Sequence, residues 1–264
     1  MKIITNIIAI LQKELQSYFA SPLAFSIAGI FWLISGLFFV FILLGDQGII
    51  QTVSLQEQLG NNLVIDVAYE FLQSFFGIIG SLCLFILPIL SMGLYTEERK
   101  KGTLELLATS PIFNWVVALG KLLGVLLFFI TLILPILLYE VIVFQSTNPP
   151  IQPQVYLLAH LGLILLGASI LSIGMFISSL TDSTIFAAIM TFTVIIFLSI
   201  LDALAVSIGG ELGKVLEHFS LLRNYENFVR GIFDTSNLMV FLTYIILGLF
   251  LTAQSIETLR FSRK

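Results

Sequence analysis

Residues 95–111 read YTEERKKGTLELLATSP. The stretch lies between two apolar runs, each long enough to cross a bilayer, in a chain that is only 11% charged. Arg99, Lys100 and Lys101 assign it to the cytoplasmic side, where short basic loops stay. Thr96 is placed to cap a helix with Glu97 and Glu98 in its first turn, where acids meet the positive end of the helix dipole. Gly102 breaks that helix, and Thr103 can cap a second one from Leu104 to Ser110, stopped by Pro111. This predicts a short helix lying across the membrane surface, burying Leu104, Leu106 and Leu107 and presenting Glu105. A solvated loop with inside-positive charge is the competing reading, and these residues alone leave both open.

The composition narrows the class. Of 264 residues, 58% are hydrophobic and 24 are phenylalanine, and the mean hydropathy is +1.06. These values exclude a soluble domain and predict an all-α, polytopic membrane protein forming one domain over residues 1–264. The net charge of −4 carries no topological information, because orientation follows the placement of Lys and Arg. Outside the helix flanks there is no basic patch suited to nucleic acid. The single Cys83 lies in an apolar run, so neither a disulfide framework nor a metal-ligand cluster is expected. Lys13 and Glu14 interrupt the first apolar stretch, and no cleavable signal is evident.

Along residues 1–20, Ile4, Ile7, Ile8, Leu11, Leu15 and Tyr18 recur at helical period opposite a polar face, which predicts a helix lying in the cytoplasmic interface without spanning. Six spans are expected at about 23–44, 72–95, 119–143, 155–178, 184–205 and 238–256. Residues 46–70 carry four acids and no Lys or Arg, so they belong outside. There Leu55, Leu59, Leu63, Val67 and Phe71 predict one amphipathic helix feeding the second span, in which Pro88 should kink the chain. Gly77, Gly80 and Ser81 offer that span a small-residue face. Gly162, Gly167, Ala168, Ser172, Gly174 and Ser178 do the same for the fourth span. Lys121, near the start of the third span, is expected to snorkel. Asp182 or Ser183 should cap the fifth. Residues 206–237 form the longest external segment. Nine of the 12 basic residues fall on the cytoplasmic side of this scheme, with Lys214, Arg223 and Arg230 outside. Both termini are therefore expected in the cytoplasm.

No catalytic constellation appears. Lys121 and Lys214 each follow a glycine, but neither has the spacing of a phosphate-binding loop. There is no HExxH and no GxSxG. His160 reads as an interfacial packing histidine in preference to a proton relay. Glu140 and Asp202 fall near predicted outer ends, which favours interfacial hydration over the lining of a translocation route.

The pattern TEERKKGTLELLATSP after a second span resembles the cytoplasmic coupling segment of type-2 ATP-binding-cassette (ABC) exporter permeases. The order of interfacial helix, six spans and a part-apolar external segment before the last span is similar to that family over nearly the whole chain. HFSLLRNYENFVRGIFDTSNLMVFLTY also resembles a stretch of its gliding-motility-type subgroup, departing from it at Asn224 and Tyr225, where an aromatic pair is commoner. The resemblance implies a plasma (inner) membrane subunit with no catalysis of its own. ATP and magnesium would bind a separate ATPase subunit, and a second permease subunit, identical or different, would complete the transporter. The segment 95–111 would then be a coupling helix, with Glu97, Glu98, Arg99 and Glu105 as ATPase contacts. Gly102 and Thr103 would shape its bend, and Leu104, Leu106 and Leu107 would anchor it. A mechanical transmitter driving an external partner without transport is the alternative. It usually needs a large external domain, and the longest external segment here is about 32 residues.

Overall fold

A computed structural model of the chain describes residues 2–59, 66–104, 112–145 and 152–261. The regular secondary structure of these residues is entirely helical. They form α1 (Lys2–Ala20), α2 (Pro22–Leu44), α3 (Ile49–Gln58), α4 (Val67–Ser91), α5 (Gly93–Lys100), α6 (Asn114–Ile133), α7 (Ile136–Gln145), α8 (Pro153–Leu180), α9 (Thr184–Ser199), α10 (Leu201–Ile208), α11 (Gly210–Phe219), α12 (Leu221–Val229) and α13 (Thr235–Phe261). Six apolar helical stretches are long enough to cross a membrane: Pro22–Gln56, Val67–Lys100, Asn114–Phe144, Pro153–Leu180, Thr184–Ile208 and Thr235–Thr258.

The helix α8 is the hub. Glycine at 162, 167 and 174 lets Phe228, Phe129 and Ser91 approach its backbone, and a β-carbon at Gly162 would come within 2.6 Å of that of Phe228. Ser169 and Ser172 donate to the carbonyls of Phe241 and Tyr244 at 3.3 and 3.2 Å, fixing α13 alongside. In α4, Gly80 receives the Tyr225 ring, whereas Gly77 faces open space and Ser81 is exposed. Within the chain, 67% of the fourth span is buried, against 22% of the first and 28% of the fifth. The first and fifth spans therefore present apolar faces to lipid or to another subunit.

Several expected boundaries shift for identifiable reasons. The second span does not restart at Thr96. Its helix breaks at Met92, four residues after Pro88, and Thr96 is buried inside α5 with its hydroxyl donating to the Met92 carbonyl at 2.7 Å. Glu97 and Glu98 thus lie towards the end of α5, not in a first turn. The third span breaks at Leu134–Pro135, and the Leu132 carbonyl at the end of α6 accepts the Trp32 indole N–H at 2.9 Å. The four-residue repeat from Leu55 to Phe71 is not one helix. Leu55 belongs to α3, Val67 and Phe71 belong to α4, and Asp66 starts α4 afresh by accepting the Tyr69 N–H at 3.0 Å; Leu63 lies outside the described residues. Ser183, not Asp182, caps α9 by accepting the Phe186 N–H.

Two further arrangements concern α1 and residues 206–237. Ile10 packs on Gly120, Glu14 on Gly124 and Tyr18 on Phe128, so α1 runs parallel to α6 with its inner face against protein. Gly120 and Gly124 form a GxxxG groove that admits it. Residues 206–237 are mostly helical. Gly209 and Gly210, at φ of +65° and +64°, turn α10 back into α11, an exchange of direction that side-chain-bearing residues rarely permit. The next helix, α12, inserts among the spans with Leu221, Tyr225 and Phe228 buried, and the Tyr225 hydroxyl donates to the Phe76 carbonyl at 2.8 Å.

Candidate functional site: a buried charge cluster beside the 95–111 segment

Three helices, α1, α5 and α6, meet at the start of the 95–111 segment, and each brings charge. Lys121 of α6 is 2% exposed, buried where snorkelling was expected, because α1 and α5 close over it. Its ammonium donates to Glu14 of α1 at 2.8 Å and to the Leu94 carbonyl at 2.9 Å, and it pairs with Glu98 of α5 at 3.1 Å. The Tyr95 ring lies 5.0 Å away and completes the shell with its π face. Lys13 bridges the same two acids from the rim, at 3.0 Å from Glu98 and 3.4 Å from Glu14. The cluster holds two bases and two acids. Charge balance is what makes such burial tolerable in a low-dielectric setting, although Glu98 Oε2 is buried without a hydrogen-bond partner.

The ionisation of the rim follows from this arrangement. Partial burial works against the Lys13 charge, but Glu98 and Glu14 outweigh it and raise its pKa. Burial, with the Glu14 and Glu97 charges, likewise pushes the Tyr18 phenol upward. Tyr18 stays protonated and donates to the Leu90 carbonyl at 2.7 Å. A cleft of about 200 Å³ opens between these helices, lined among others by Tyr18, Ser21, Glu97 and Lys101.

The other end of α5 is held as firmly. The break at Met92 frees the first N–H groups of α5, and no side chain of its own caps them. Ser178 of α8 does so instead, accepting from Tyr95 N–H at 2.9 Å and Thr96 N–H at 3.2 Å while donating to the Met92 carbonyl at 2.9 Å. Arg99 then donates to the Ser179 carbonyl at 2.9 Å, and Lys100 reaches the Thr184 hydroxyl of α9 at 3.4 Å. The helix α5 is thereby tied to α1, α6, α8 and α9 together.

The coupling residues read from the sequence divide three ways. Glu98 and Arg99 are engaged within the chain, whereas Glu97 is exposed and pairs only loosely with Lys101 at 3.6 Å. Gly102 ends α5 at φ +68°, and Thr103 N–H returns to the Glu98 carbonyl at 2.9 Å in a Schellman closure that needs glycine at that bend. Leu104 is buried, and Glu105, Leu106 and Leu107 lie outside the described residues. Sequence reasoning missed Glu14, Lys121 and Ser178. A charge at Glu14 within an otherwise apolar stripe, and a lysine inside a GxxxG, were the available signals.

Three further polar residues were singled out in the sequence. Asp202 is half-buried in the first turn of α10, where its charge complements the helix N-terminus. Glu140 is buried at 2% exposure and not on the surface, because α7 restarts after the break at Pro135 and sets this side chain against His160 of α8. His160 packs edge-on against Phe76, as a packing histidine should, and also faces Glu140 at 3.5 Å. Among the described residues no three His, Cys, Asp or Glu side chains are grouped to hold a metal ion.

No curated protein matches the chain. A family model does, over residues 8–264. That match takes in α1 from its second turn, all six spans and the charge cluster, and it makes this chain a member of the ABC-2 family transporter proteins.

Proposed function

We propose that the chain is the permease subunit of an ABC exporter and that its segment 95–111 receives the motion of a separate ATPase. Membership of the family makes it a membrane transport subunit that works with an ABC ATPase. The reading beyond that rests on one observation: α5, which forms the first part of the segment, is clamped to α1, α6 and α8 through Lys121, Glu98 and Ser178. A force that reaches α5 therefore moves the ends of the second, third and fourth spans together. The basic residues at 99–101 and 260–264 support a cytoplasmic location for this end and for both termini, in the plasma membrane. The apolar faces left on the first and fifth spans support pairing with a second permease subunit, a copy of this chain or a different one. ATP and magnesium would bind only in the ATPase.

The test is purification from membranes with the partner ATPase, followed by native mass measurement and ATP turnover. The expected complex holds two permease and two ATPase chains, and its turnover exceeds that of the ATPase alone. A complex with a single permease chain, or ATP hydrolysis by this chain in isolation, would overturn the proposal.

A further inference from the structure

At the end of the bundle away from the charge cluster, Glu140 of α7 and His160 of α8 face each other inside the membrane domain. Glu140 Oε1 and His160 Nε2 are 3.5 Å apart, and neither buried atom has a hydrogen-bond partner. The tautomer of His160 follows from its other nitrogen. Nδ1 lies 2.9 Å from the Tyr156 carbonyl, which can only accept, so Nδ1 carries the hydrogen. In the neutral ring Nε2 is then an acceptor, and it points at a carboxyl oxygen. Two acceptors repel at this distance unless a proton sits between them.

From this geometry we infer that Glu140 and His160 together bind one proton, held as the Glu140 carboxylic acid donating to His160 Nε2, and so form a proton-binding site joining the third and fourth spans. Placing the proton on Glu140 keeps both groups neutral, whereas an imidazolium–carboxylate pair would put two charges in apolar surroundings. Among the described residues His160 is the one basic group within ion-pair distance of Glu140. The neighbouring titratable groups on the elements packed here do not supply a counter-charge. Tyr225 of α12 is committed to the Phe76 carbonyl, Cys83 of α4 is a buried thiol, and Tyr139 stacks on Phe39. Glu226 of α12 is taken by Arg230, and Glu70 of α4 lines a separate cleft with Gln47 and Thr52. Parting α7 from α8 would leave the acid without its acceptor, so the packing of these two spans is linked to proton binding.

Infrared spectroscopy of the purified, lipid-reconstituted protein tests this. The wild type at neutral pH should show a protonated-carboxyl carbonyl band that is lost reversibly at alkaline pH and absent from Glu140→Gln, whose amide N–H preserves the contact without titrating. In His160→Gln the band should persist at a shifted frequency. If Glu140→Gln fails to fold, the His160→Gln variant assigns the band, and a wild-type band that does not shift there overturns the inference. A wild type with no such band at neutral pH, or with a band unaffected by Glu140→Gln, overturns the inference.

Discussion

Lys121 illustrates how much of the site depends on single side chains. Its ammonium is nine-tenths and more buried, and the charges of Glu14 and Glu98 are accommodated chiefly because it is present. Lys121→Met leaves two buried acids with only the exposed Lys13 between them. Removing one partner of a buried, hydrogen-bonded set costs about 3–5 kcal/mol. The melting temperature of the detergent-purified protein should fall accordingly. Lys13→Ala should lower the unfolding free energy by no more than about 1 kcal/mol, since its side chain is 64% exposed. Equal effects of the two substitutions would remove Lys121 from its central place. The pH response follows the same logic. Because Lys13 is held charged more strongly in the folded chain than when unfolded, its contribution is present at neutral pH. It is lost as pH rises through the raised pKa of the folded form.

The helices were legible where the signal was local and illegible where it was tertiary. Charge-free runs of about 20 residues announce spans, and Gly102 announces a stop, because each rests on one physical rule applied to adjacent residues. The groove formed by Gly120 and Gly124 is just as local, yet its occupant, α1, lies about 110 positions earlier in the chain. The capping of α5 by Ser178 is of the same kind, and so is the insertion of α12 on Gly80 and Gly162. At the level of the element, Gly124→Val tests the groove. A β-carbon there would meet that of Glu14 at 2.7 Å, so α1 must lift and the charge cluster must open. Overpacking of this sort costs about 1–3 kcal/mol. The thermal stability of the variant should drop by that amount, and a cysteine at position 14 should become accessible to a water-soluble reagent. Unchanged stability and continued protection would show that α1 is not seated by these glycines.

On the scale of the whole molecule, the account joins a membrane topology to a mechanical path. The topology is tested by cysteine labelling in intact cells, with Cys83 replaced by alanine. Position 57 should react with an impermeant reagent and position 100 only after permeabilisation, and the reverse pattern would invert the bundle. The proposed path enters at residues 95–111 and runs through α5 of the second span into α1, α6 of the third span and α8 of the fourth. Everything on it depends on the ATPase meeting this chain at residues 95–111.

Co-purification of the ATPase with variants at Glu105 tests that meeting point most directly. The helix expected over 104–110 would place the Glu105 carboxylate at its N-terminus, where it would accept a charge-assisted hydrogen bond from a partner, contributing about 1.5–3 kcal/mol if dry on docking. Glu105→Lys replaces that attraction with repulsion at one side chain and leaves the residues of the buried cluster unchanged. The account predicts that the lysine variant reaches the membrane and folds but retains little ATPase, while Glu105→Gln, which keeps an acceptor, retains most of it. Full retention and undiminished ATP turnover in the lysine variant would contradict it.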